Sequence, residues 1–296
     1  MRLRAIDRLI HAVETSDGAG VRIKRSIGRT DQDRLDPFLM LDEFGSDSAD
    51  DYIAGFPAHP HRGFETVTYM LDGHMLHEDH LGNRGHLASG DVQWMTAGRG
   101  IVHSEMPQQE SGLMRGFQLW VNLPAHEKMC EPHYRDIPGA EIPHMQITGG
   151  TVLVIAGEVG TEGEHPDSKV TGVVAPRSTE PVYLDIHLDA GAGFRLPLAR
   201  YLNGLVYAYN GNLEVEGPDS EYQTLGVGTA AVLGPGDEVS LRAGSGPARC
   251  LLLAGRPLEE PVVQYGPFVM NTDQEIQEAI RDYQNGSLAQ PANRQG

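Results

Sequence analysis

The sequence predicts an all-β protein of two similar barrels with a short C-terminal helix, and three observations predict it. The 296 residues include 36 glycines and 19 prolines, which interrupt the chain every few positions. The runs between them are short and rich in Val, Thr, Tyr and Leu, the pattern of antiparallel strands joined by turns. One plan also occurs twice: a strand, a turn, a variable stretch, then a Gly-Asp turn entering another strand. It is read in "YMLDGHMLHEDHLGNRGHLASGDVQWM" (69–95) and again in "YAYNGNLEVEGPDSEYQTLGVGTAAVLGPGDEVSL" (207–241).

Along the chain, "HPHRGFETVTYM" (59–70), "TVLVIAG" (151–157), "GLVYAYNGNLEVEG" (204–217) and "ARCLLLAG" (248–255) read as strands. The proline-marked stretch 132–143 suits a boundary, dividing the chain into residues 1–135 and 136–296. A helix is signalled only late, in "MNTDQEIQEAIRDYQNG" (270–286). There Thr272 with Glu275 spells a capping box, Ile276 and Ile280 share a face, and Gly286 suits the C-terminal cap. The last ten residues, "SLAQPANRQG", read as a mobile tail.

Composition excludes several classes of function. A net charge of −18 argues against a surface that neutralises nucleic-acid phosphates, and the local run "RIKR" (22–25) reads as a solvated strand face. No run of about 20 apolar residues is present to cross a membrane. The N-terminal "MRLRAIDRLIHAVET" lacks the apolar core of a secretory signal. Cys130 and Cys250 are expected to be free thiols in a reducing, cytoplasmic setting.

The histidines are unevenly placed. Eleven of the 13 lie in residues 1–148, and seven fall between 59 and 103, so a metal site belongs to the first barrel. Side chains two apart on a strand face the same way, so His59 and His61 point together. Glu65, Val67 and Tyr69 stay in phase with them if the strand is regular. The spacing recurs in "GRGIVHSEMP", where His103 and Glu105 lie one residue apart. Two such pairs on neighbouring strands converge three imidazoles and a carboxylate, a set suited to Fe, Mn, Co, Ni, Cu or Zn rather than Ca or Mg. Glu65 is ranked first as an anchor behind the ligands, with a fifth ligand or a partner for Arg62 as alternatives. His74, His77, His80 and His86 are expected at the surface. His126, His133 and His144 receive no role.

"FPAHPHRGFETVTYMLDG" followed by "GDVQWMTAGRGIVHSEMP" resembles the pirin family of the cupin superfamily. Similar agreement in "GVRIKRSIGRTDQDRLDPFLMLDEFG" (20–45), "GFQLWVNLPAHEKMCEPHYRDIP" (116–138) and "GPFVMNTDQEIQEAI" (266–280) extends the resemblance along the whole chain. It implies two cupin barrels, with one metal, usually iron, in the first. Carried over by position, the ligands are His59, His61, His103 and Glu105, with Glu65 the fallback should Glu105 not ligate.

The resemblance implies two kinds of activity. One is flavonol 2,4-dioxygenation of the quercetinase type, in which Glu105, or Glu65 from behind, takes the proton of a flavonol 3-hydroxyl. The substrate then reacts with O2, and ring cleavage releases CO. Phe56, Trp94, Met95 and Trp120 are candidates to wall the pocket. The other is regulation, in which the oxidation state of the metal sets affinity for a protein partner.

Overall fold

Two strand types are distinguished by which faces they bury. Gly193–Pro197 alternates exposed and buried side chains, as a strand with one wet face does. Phe64–Asp72 is buried at seven consecutive positions, which requires cover on both faces and a central place in its sheet. The computed structural model describes residues 1–160, 169–175, 177–288 and 290.

In chain order the strands begin β1 (Ile6–His11), β2 (Val13–Asp17), β3 (Val21–Ile27), β4 (Phe38–Ser46), β5 (Phe56–His61) and β6 (Phe64–Asp72). There follow β7 (Met75–Asp79), β8 (Arg84–Leu87), β9 (Val92–Thr96), β10 (Ile101–Pro107), β11 (Met114–Asn122) and β12 (His133–Ile137). The second half holds β13 (His144–Ile147), β14 (Gly150–Ala156), β15 (Glu158–Val159), β16 (Val170–Thr171), β17 (Val182–Leu188), β18 (Gly193–Pro197) and β19 (Asn203–Asn210). It continues with β20 (Leu213–Glu216), β21 (Tyr222–Leu225), β22 (Thr229–Leu233), β23 (Glu238–Ala243), β24 (Ala248–Gly255), β25 (Val263–Tyr265), β26 (Phe268–Met270) and the helix α1 (Asp273–Gln284).

Sheet order makes the internal repeat explicit. The four-stranded sheets run β5-β10-β7-β8 and β18-β23-β20-β21, the same order displaced by thirteen strands. The seven-stranded sheets, β12-β9-β6-β11-β4-β3-β2 and β1-β22-β19-β24-β17-β14-β13, share the displacement through their central strands. The all-β, two-barrel architecture is thus the one the sequence predicts.

The expected division at residue 135 needs correcting at both ends. Of the described residues, those within 14–23, 41–139 and 258–296 form one compact unit, and those within 1–13, 24–40 and 140–257 the other. β1 lies at the edge of the second unit's sheet, with Ile10 opposite Ala230 and His11 opposite Thr229 on β22. The matching edge of the first unit, beside β9, is filled by β12. Periodicity marks a segment as a strand without saying which sheet edge accepts it, so the exchange of the first strand leaves no local signal.

The second unit is filled by aliphatic side chains, among them Val154, Leu184, Ile186, Val206, Val215, Leu241 and Leu252. In the first unit, Val21, Ile23, Phe44, Tyr52, Met70, Met75, Leu87 and Met114 form one cluster. Arg22 and Lys24 are exposed on either side of buried Ile23, as expected of a solvated strand face. In α1 both bonds of the Thr272–Glu275 capping box are present. Ile276 and Ala279 are buried with Phe268, Met270 and Leu288, and Ile280 packs against them. Packed chain therefore continues through Leu288, two residues into the expected tail; positions 289 and 291–296 lie outside the described residues.

Candidate metal centre

β5 is an edge strand, which explains how Pro57 and Pro60 are accommodated within it. It pairs antiparallel with β10, setting His59 opposite His103 and His61 opposite Ile101. A register shift follows, since Glu105 pairs with Phe56. On β10, His103 and Glu105 are buried while Val102 and Ser104 between them are half-buried, so the two side chains share the inner face.

The geometry brings three imidazoles together. One nitrogen from each of His59, His61 and His103 lies within 4.8 Å of the others. Nε2 of His103 is 3.0 Å from Nε2 of His59. Metal–nitrogen bonds of about 2.05 Å at right angles place two nitrogens ~2.9 Å apart, against ~3.4 Å for tetrahedral angles. The His59–His103 spacing is short enough for both nitrogens to reach one ion. Behind the ring of His59, Nδ1 lies 2.8 Å from the Pro57 carbonyl oxygen, a contact that leaves the Nε2 lone pair free when Nδ1 carries the proton.

Electrostatics agree with this geometry. Burial first, then the neighbouring His59, holds the pKa of His61 well below the ordinary imidazole range, with only the Pro267 carbonyl favouring the protonated ring. Burial, then His61, His59 and His77, does the same for His103. Neutral rings offer lone pairs to a cation, so these residues fit a metal ion.

Glu105 is buried beside the triad but outside the group of mutually close nitrogens. Thr68 Oγ1 donates to its Oε1 (2.9 Å), and Gln118 Nε2 donates to its Oε2 (2.8 Å). Gln118 is itself held by Trp120 Nε1, which donates to Oε1 at 3.3 Å.

Glu65 requires a correction. The chain turns at Arg62–Gly63 between β5 and β6, so the phase of the HPH pair is not carried into β6. Thr68 faces Glu105, and Glu65, an odd number of positions away on β6, points to the other face. There its Oε1 accepts from Thr96 Oγ1 at 2.6 Å, while Arg62 pairs with Asp282. Neither the anchoring role nor the fallback ligand role suits that position.

His77 is the residue that sequence reasoning missed. It is fully buried rather than superficial, opposite Glu105 on β7, with Nδ1 3.4 Å from Nδ1 of His103. Its alternation with buried Met75 in "MLHED" was the available signal. Burial lowers its pKa, against the opposing charges of Glu105, Asp136 and Asp79. His80 and His86 are exposed and His74 half-buried, with His74 Nε2 2.9 Å from His86 Nδ1.

Of the four candidate wall residues, Trp120 meets the site directly, with its ring 5.4 Å from that of His61. Phe64, unforeseen, lies 5.1 Å from His61 and 4.3 Å from Trp120. Phe56 packs toward Val21 and Phe44, and Met95 packs with Ala97 and Ile101. Trp94 is buried.

Known proteins are similar to this chain over most of its length. Models of pirin and of the pirin C-terminal cupin domain match residues 20–121 and 183–289. A Pseudomonas aeruginosa protein provisionally named quercetin 2,3-dioxygenase is 52% identical over 289 residues, 97% of this chain and 99% of its own. Human pirin is 46% identical over 276 residues, 92% of this chain and 89% of its own. The crystal structure of a quercetin 2,3-dioxygenase from Acinetobacter baumannii matches with a TM-score of 0.84 at 34% identity, over 97% of this chain and 98% of that one. A bacterial pirin from Escherichia coli in complex with nickel(II) shares the fold, with a TM-score of 0.61 at 17% identity over 84% of this chain and 98% of its own. With matches that span both of its cupin barrels, the chain belongs to the pirin family.

Proposed function

We propose that the protein is a metal-dependent dioxygenase that cleaves a flavonol ring with O2. In this reading His59, His61, His103 and Glu105 hold the metal, and Fe(II) is the resident ion. The convergence of donors carries it. His59, His61 and His103 each bring one nitrogen within 4.8 Å of the others, and buried Glu105 shares the inner face of β10 with His103.

Mn, Co, Ni, Cu and Zn satisfy the same three-nitrogen, one-oxygen set, so the donors alone do not select iron. When bound, the ion supplies Lewis acidity toward a substrate hydroxyl and redox capacity toward O2. Glu105 takes the proton of the flavonol 3-hydroxyl. Thr68 and Gln118 fix the direction of its carboxylate, which turns a mobile base into an oriented one. Trp120 and Phe64 present apolar surface beside His61 and exclude water there. The reaction adds O2 to the flavonol and yields an aryl ester acid and CO.

The test is anaerobic loading of the purified protein with Fe(II), then oxygen uptake with quercetin. Metal-dependent O2 consumption with stoichiometric CO supports the reading. Bound iron without uptake overturns it in favour of metal-gated binding of a protein partner, for which capture under reducing and oxidising conditions is the next step.

A further inference from the structure

The strand carrying HPH ends in a sharp corner, Arg62–Gly63, and this corner is fastened by segments remote in sequence. Arg62 N donates to the Pro267 carbonyl (3.3 Å), Val269 N donates to the Arg62 carbonyl (3.0 Å), and Gly63 N donates to the Gly98 carbonyl (2.8 Å). The Arg62 guanidinium donates to the Arg99 carbonyl and, through Nη1, to Asp282 Oδ2 on α1 at 2.8 Å. Gly63 has a φ of +90°, and a Cβ there would come 2.0 Å from the Val269 carbonyl oxygen, so no other residue fits.

Lys128 completes the fastening. Its buried Nζ donates to the carbonyls of Gly63 (2.8 Å) and Val269 (3.1 Å) and to Asn122 Oδ1 (2.6 Å). One ammonium thus ties the residue two places after His61 to the C-terminal hairpin. The same C-terminal segment reaches the second ligand strand. Val102, next to His103, packs with Phe268, Met270, Ile276 and Leu288, and a Cβ on Gly100 would come 2.5 Å from the Leu288 carbonyl oxygen.

We propose that Lys128 and Asp282 are positioning residues for the metal centre. By fastening the Arg62–Gly63 corner to β26 and α1, they hold His61 where its nitrogen meets those of His59 and His103. The inference rests on the metal-binding reading of those histidines. It adds that the C-terminal hairpin and helix, which contribute no nitrogen to the triad, set its affinity. Linkage makes the effect reciprocal, so metal binding tightens the docking of α1.

The test uses the full chain and the metal alone. Affinity for Co(II) is measured by competition with a chromophoric chelator for the wild type, Asp282→Asn, Asp282→Glu, Lys128→Met and a distant ion-pair control, Glu214→Gln. Supporting residues behind metal ligands typically change affinity by about 10–100-fold. Asp282→Asn and Lys128→Met are therefore expected to bind at least about tenfold more weakly and to show an altered visible Co(II) spectrum at saturation. Asp282→Glu should recover part of the loss, and Glu214→Gln should match the wild type. Hydrogen exchange across 273–284 should slow when the wild type takes up Co(II). If Lys128→Met does not fold, Asp282→Asn decides, since that carboxylate is partly exposed. Unchanged affinity and spectrum in a folded Asp282→Asn protein overturn the positioning role and leave the metal site standing. A wild type that binds no Co(II) overturns both.

Discussion

The two barrels share one sheet order and fill it with opposite chemistry. Where β10 turns His103 and Glu105 inward, the equivalent β23 buries Val239 and Leu241 in the aliphatic core. Where β5 carries the HPH pair, β18 buries Phe194 and Leu196. Where β7 buries Met75 and His77, β20 buries Leu213 and Val215. The same sheet order is therefore compatible with aliphatic side chains at the positions where the first barrel carries these polar groups. The first barrel has exchanged aliphatic packing for a buried polar network, and such a network is favourable only when each member has a partner.

The sharpest way to break this comparison is His103→Ala. Metal content and any metal-dependent O2 uptake should be abolished while the circular dichroism of the fold is retained; a fully active, metal-free variant would sink the site assignment. The converse is Leu241→Ala at the matching strand of the second barrel. It should cost about 2–5 kcal/mol of stability in urea denaturation, with metal affinity unchanged.

The unit that holds the histidine triad also buries Lys128. Burial pushes the Lys128 pKa down to about 8 from 10.5, against the pull of Glu260 and Glu275. Between those values the unfolded chain holds a proton that the folded chain has released, so stability rises with pH across that window. The gain approaches about 3 kcal/mol. Urea midpoints of wild type and Lys128→Met should diverge in that direction from pH 8 to 10.5, and parallel curves would remove the basis for it. The smallest effect is expected at Gln118→Leu. Metal should still bind, but loss of the donor to Glu105 should slow turnover by about 10–100-fold, read as a fall in kcat.

Much of this was legible from local pattern. The two members of HPH, and of HSE, are one strand period apart, and the pairing of β5 with β10 sets His59 opposite His103. The capping box needs only Thr272 and Glu275, and the repeat needs only turns at matching intervals. What escaped depends on non-local facts. Glu65 left the phase because one corner interrupts the strand, and His77 turned inward on a hairpin whose histidines otherwise lie in or near solvent. β1 pairs across more than 200 residues, and α1 belongs with ligand strands synthesised long before it; neither partner is written in the segment itself.

The histidine strands leave the ribosome early, but the hairpin and helix that hold their corner are the last described parts of the chain to be made. Although amino-terminal domains commonly fold first during translation, this barrel must wait for the far end of its own message. The Arg62–Gly63 corner cannot be fastened until Pro267, Val269 and Asp282 have been made, the last of them 220 residues after Arg62. A nonsense mutation near codon 260 would remove the fastening of the site while leaving every codon of the triad in place.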